Sequence, residues 1–138
     1  MKRSMICLLA AVPLVILAVC WFSHPVPAKT DIPAGSEAER LAWLASQGLS
    51  CVPVAEAPVT IPADVRSVPA DYAALQETLG LPFASHAGED GMLYTYYTEG
   101  SDPPFYAELL TADGVLVGAQ GYHPYDGITR DLQGTSAG

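Results

Sequence analysis

An uninterrupted apolar run from Met5 to Phe22, preceded by Lys2 and Arg3, divides this chain into two unequal parts that face different solvents. Eighteen residues without a charge reach the lower limit of what crosses a bilayer core, and a basic pair before a first apolar segment stays on the cytoplasmic side. Everything after Phe22 is therefore expected outside the cytoplasm. Three fates are open to the run itself. As an uncleaved single-pass anchor it tolerates Pro13, because membrane helices re-satisfy the backbone groups that a proline frees. As a cleaved signal peptide it is cut after Val26, Pro27 and Ala28, leaving Lys29 first. As a lipoprotein leader, Leu17 to Cys20 places a lipid on Cys20, although Val19 stands where a small residue is required. The length of the run favours the anchor in the cell membrane, with residues 1–4 as a cytoplasmic stub and Cys7 and Cys20 as small apolar residues in lipid.

About 110 residues remain, enough for one domain with one modest core. Without Lys2 and Arg3 the formal charge of −9 becomes −11. Such a field repels phosphates, which argues against nucleic acid as a partner, and it keeps a small domain dispersed. Cys51 is the sole cysteine beyond the apolar run, so hydrophobic packing has to hold the domain without an internal disulfide. Among Leu49, Val52 and Val54 it reads as a buried small residue rather than a nucleophile, which needs a basic neighbour.

Residues 23–35 carry three prolines and no apolar periodicity, the composition of a semi-extended tether. The folded domain is expected over residues 36–132. Ser36 and Glu39 form a capping box ahead of Leu41, Leu44 and Ala45 at helical spacing, and Gly48 ends that helix. Trp43 lies off the stripe, at the border of the core. Leu49 to Val54 and Val59 to Ile61 are β-branched but contain or adjoin Pro53 and Pro58, which predicts one or two edge strands. Ala70 to Leu79, closed by Gly80, predicts a second helix through Tyr72, Leu75 and Leu79. Leu81 to Gly91 reads as a surface loop.

The last third has strand character. Met92 to Thr98, Phe105 to Ala112 and Val115 to Gly121 predict a three-stranded antiparallel meander, and Asp113-Gly114 predicts a two-residue turn pairing Ala112 with Val115. Leu110 and Val117 then share one face, and Leu109 and Leu116 the other. Residues 133–138 are expected as a flexible tail. The fold class is α+β, two short helices on an antiparallel sheet, preceded by one N-terminal transmembrane helix.

The stretch from Glu39 to about Leu132 resembles a family of small exported bacterial proteins known as domain of unknown function 4830. The resemblance rests on Arg40, Leu44 and Gly48, on Val59, Ile61 and Pro62, and on Tyr72, Leu75, Gln76 and Gly80. It continues through Tyr94, Tyr96, the hairpin from Ala107 to Gly118, and Asp126 with Gly127. It implies an N-terminally anchored protein of the cell envelope and brings no activity with it. The chain departs from that pattern after Gly118, at Ala119 and Gln120, and in the loop from Leu81 to Asp90.

Two clusters carry candidate chemistry. His86 and His123 with Asp126 and neighbouring acids are the groups from which a metal or acid/base site could be built, though their spacing lacks any short metal motif and Pro124, Asp126 and Gly127 suit a turn. The tyrosines are the other cluster. Tyr94 and Tyr96 share a strand face, Tyr97 points to the opposite one, and Tyr106 and Tyr122 stand across the meander. Cross-strand packing explains such tyrosines, and so does an aromatic platform formed by Tyr94, Tyr96, Tyr106 and Tyr122 for an envelope protein, peptide or glycan. No nucleophile elbow, phosphate loop or helical metal pair is present, and no cofactor is implied. The expectation is a non-enzymatic extracytoplasmic binding or sensing module. The alternative is a small envelope enzyme or metal-dependent hydrolase using His86 and His123.

Overall fold

Asp113 (φ 50°) and Gly114 (φ 75°) both take left-handed backbone, the requirement of a tight hairpin turn, and Ala112 pairs with Val115 across it. That turn sets the register of the domain in the computed structural model, which describes residues 31–133. The transmembrane or signal segment, the lipidation candidate Cys20, the tether through Thr30 and the tail from Gly134 lie outside the described residues. No helix among the described residues is long and apolar enough to cross a membrane.

Four antiparallel strands form one sheet in chain order: β1 (Ser50–Thr60), β2 (Asp90–Glu99), β3 (Tyr106–Ala112) and β4 (Val115–Tyr122). The predicted meander is β2 to β4. Two helices complete the domain, α1 (Glu37–Ser46) and α2 (Ala70–Leu79). The Ser36–Glu39 capping box is formed in both directions, Gly48 at φ 83° follows the end of α1, and Gly80 at φ 73° ends α2 in left-handed backbone.

Of the one or two edge strands expected over Leu49 to Val54 and Val59 to Ile61, the chain forms one, continuous along the edge of the sheet. A bulge between Pro53 and Ala55 lets it continue past the first proline. Ile61 donates to the Glu89 carbonyl, and alternation back along the register turns the backbone of Val59, Ala57 and Ala55 toward β2 and that of Pro58, Glu56 and Pro53 outward. Both prolines therefore fall where the missing N–H would have faced solvent, and each removes a donor from the free edge.

The opposite edge is closed by the chain itself. Leu116 donates to the Ile32 carbonyl and Ala34 donates to the Gly114 carbonyl. Gln76 of α2 meets both backbone groups of Ala119, and Gly121 and Arg130 exchange two backbone hydrogen bonds. Ile32 and Ala34, inside the stretch expected as tether, thus belong to the folded domain, because they satisfy an edge that would otherwise be bare; Ala34 is buried.

Each face of the sheet carries its own core. On the first, Leu44 of α1, Leu49, Tyr96, Leu109, Leu116 and Leu132 pack together, with Trp43 partly buried at the margin. On the second, Ile61, Phe83, Leu110 and Val117 are joined by the partly buried Val68, Tyr72 and Leu93. The sequence split of Leu110 and Val117 from Leu109 and Leu116 is thus realised. The segment after α2, expected as surface loop, instead anchors both cores: Leu81 enters the first and Phe83 the second. Two isolated apolar residues carry no periodicity, so sequence pattern does not distinguish them from loop.

Candidate functional site

The four candidate platform tyrosines divide between the two faces, because cross-strand partners share a side of the sheet. Tyr94 and Tyr96 lie on the first face, opposite Leu109 and Ala107. There Tyr96 is buried, and its hydroxyl accepts from Arg40 Nε at 2.9 Å. Arg40 donates a second hydrogen bond to the Ala34 carbonyl at 3.0 Å, and its guanidinium lies 3.6 Å over the Tyr94 ring. Burial pushes the Tyr96 phenol above its ordinary range, and the Arg40 bond and charge pull partly back. These two tyrosines therefore hold a buried arginine that joins α1 to the sheet. The signal for it in the sequence was Arg40 itself, a charge one residue before Leu41 on the apolar side of a helix.

The second face is different. Tyr97, Tyr106 and Tyr122 are direct cross-strand neighbours on β2, β3 and β4 and form a half-buried ladder. Tyr97 meets Tyr106 edge-on with ring centroids 5.7 Å apart, and Tyr106 stacks on Tyr122 at 5.6 Å. Tyr97 was the strand tyrosine left out of the expected platform. Beside the ladder, β1 presents Val52, 40% exposed, Ala55 and Ala57 to solvent. No helix covers this end of the face among the described residues.

The other end of the same face opens into a cleft of about 250 Å³ whose walls include Ile61, Val68, Tyr72, Phe83, Leu93 and Leu110. Tyr72 reaches it from α2 because Gly118 leaves room: a Cβ there would stand 2.5 Å from the Tyr72 hydroxyl oxygen. The ring of Tyr72 meets Phe83 edge-on at 5.2 Å. Glu108 lines this apolar cleft on the side of the ladder. The Tyr122 hydroxyl and the Gln120 amide present donors to its carboxylate, and the charge is felt at Tyr72. Burial nonetheless keeps Glu108 above its ordinary carboxylate range, and it pushes Tyr72 and Tyr122 upward as well. Glu108 carried no motif; the available signal was an acid between Ala107 and Leu109 in a strand that is otherwise nearly all apolar.

The histidines do not converge. His86 stands in a short 3-10 turn, its Nδ1 2.9 Å from a Glu89 carboxylate oxygen, near the start of β2. His123 follows the end of β4, so the length of that strand, about 26 Å for eight residues, separates the two. His123 is buried between Phe105 and Tyr125, whose ring stacks on it at 5.2 Å. Asp126 is its near neighbour in the same turn and pairs with Arg130; the backbone N–H of Ile128 chiefly, then Arg130, hold the Asp126 carboxyl below its ordinary range. Among the described residues no group of three His, Cys, Asp or Glu side chains stands close enough to hold a metal ion. Cys51 is half-buried, and its thiol is pushed up to about 11, first by burial and then by Glu99.

Comparison with protein-family models, curated proteins and solved structures gives no match to this chain.

Proposed function

We propose that this chain is a non-enzymatic binding module of the cell envelope, carried by its N-terminal apolar segment and engaging a partner protein or peptide through the second face of its sheet. The resemblance to domain of unknown function 4830, which implies the same setting, belongs to this proposal. One observation supports it above the others: the first face is filled by α1 and both edges are closed or blunted, while the second keeps a tyrosine ladder continuous with an apolar cleft. Half-buried tyrosines offer contact area at small entropic cost, and a pocket of this size takes one or two side chains rather than a whole drug-sized ligand. His86, ahead of the start of β2, and His123, after the end of β4, do not approach each other, which lends the hydrolase reading no support.

Site-specific photo-crosslinking in intact cells tests this. A photoreactive residue at Tyr97 is expected to give a discrete adduct, and one at Glu77, on the exposed side of α2, is not. Absence of any adduct from Tyr97, with the variant present at native level, refutes the proposal. Membrane fractions washed in high salt test the anchor, since salt screens surface attraction and leaves hydrophobic insertion intact. Release of the protein by that wash counts against it.

A further inference from the structure

We infer that the partner segment recognised by this face is basic, presenting in extended conformation an apolar side chain to the cleft and, two residues further on, an arginine to Glu108 and the tyrosine ladder; this rests on the binding face proposed above. Glu108 is the carboxylate that lines the cleft, Glu99 standing two residues beyond Tyr97 at the far end of β2, and the cations among the described residues are engaged elsewhere. Arg40 is buried on the opposite face, Arg66 pairs with Asp64, and Arg130 pairs with Asp126. The carboxylate therefore meets hydroxyl and amide donors only partly compensating its loss of water, a setting in which an incoming cation is worth most.

The spacing is set by the strand. Glu108 and Tyr106 lie two residues apart on β3 and so on the same face, about 7 Å from each other. An extended partner repeats its side chains on one side at that same interval. Its apolar anchor fills the space between Phe83 and Leu93, and the following same-side residue arrives where Glu108 gives way to Tyr106 and Tyr122. A guanidinium suits that place better than an ammonium, because its plane stacks on tyrosine while its edge donates to a carboxylate. The charge of −11 on the exported part attracts such a segment from a distance.

The experiment uses the full chain in lipid nanodiscs with labelled tyrosine rings and leucine methyls, followed by NMR. The probes are Ac-Phe-Gly-Arg-amide, the same peptide with citrulline in place of arginine, and Ac-Gly-Gly-Arg-amide. Citrulline keeps the planar shape and removes the charge. The expected result is that the arginine peptide shifts Leu93, Leu110 and the ladder rings and binds about tenfold tighter than the citrulline peptide. Glu108→Gln is expected to abolish that difference while both peptides still bind, and Tyr97→Ser to weaken both arginine peptides. Equal affinities on the native chain overturn the inference and leave the cleft standing. Discrimination that survives Glu108→Gln, with native methyl shifts showing the fold intact, also overturns it, since overall acidity would then be the cause. If no peptide shifts the cleft methyls at all, the binding face itself is refuted.

Discussion

Replacing Gln76 by Leu tests whether a single side chain seals the middle of the β4 edge. Gln76 is buried, its Oε1 accepts from the Ala119 N–H at 2.7 Å, and its Nε2 donates to the Ala119 carbonyl at 2.8 Å. A second donation goes to the Tyr72 carbonyl at 3.0 Å. Leucine fits the volume but leaves both Ala119 groups buried without partners. Each orphaned group costs about 1–3 kcal/mol, so the loss is about 3 kcal/mol after the gain in apolar burial, a large share of a small domain's stability. With a urea slope of about 1.5 kcal/mol/M, the unfolding midpoint falls by about 2 M. Gln76→Glu sharpens the test. Its carboxylate accepts from Ala119 but cannot donate, whereas the protonated acid reproduces both bonds. The folded-state pKa of that acid is raised, so stability is fully present below the ordinary carboxylate range and is lost as pH rises through the folded value. Urea titrations followed by circular dichroism at pH 4 and pH 7 read both effects, with Thr78→Ala, an exposed hydroxyl bonded back to Ala74, as the control. A Gln76→Leu midpoint close to native, or no recovery of Gln76→Glu in acid, would mean that water satisfies the edge and would refute the reasoning.

Burial raises the Glu108 pKa, so the native domain loses stability relative to Glu108→Gln as pH rises from about 4 to 7; equal urea midpoint differences at the two pH values would contradict this. Tyr96→Phe removes a hydroxyl that accepts from a buried cation and is expected to cost about 1.5–3 kcal/mol in thermal or urea unfolding. A cost below 0.5 kcal/mol, on the order of surface changes, would show that Arg40 is satisfied without it. The Cys51 thiol, pushed up from 9.0 to about 11, is expected to alkylate at pH 7 about 100-fold more slowly than an unshifted thiol. Mass spectrometry of the Cys51 peptide during iodoacetamide treatment reads that rate, and labelling at the free-thiol rate would refute it.

Local chemistry made much of the fold legible. The Ser36–Glu39 box, the glycines after both helices and the Asp113-Gly114 turn each demand a backbone state, and each is where the chain takes it. The separation of Tyr94 and Tyr96 from Tyr97 also followed from strand alternation. What alternation leaves open is which face a helix covers, and that depended on Arg40 passing under α1 to reach Tyr96. The bulge at Val54 was equally invisible, because it merges two proline-broken segments into one strand by local backbone geometry rather than by pattern. Glu108 drew no notice because its meaning comes from Phe83, Leu93 and Tyr122, residues remote in sequence that the sheet brings beside it.

The closure of β4 by Ile32, Gln76 and Arg130 has a consequence for timing. Ile32 meets Leu116, Gln76 meets Ala119 and the Gln133 amide donates to Gln47, so the first residues of the domain wait for nearly the last. A chain synthesised N-terminus first must hold α1, β1 and α2 in water without their sheet until β4 follows. Such long-range closure slows folding and leaves apolar strands uncovered meanwhile. Proline at 53 and 58 then serves the half-made chain as well as the finished one, because β1 is the strand that waits longest and the one least able to pair with a stranger.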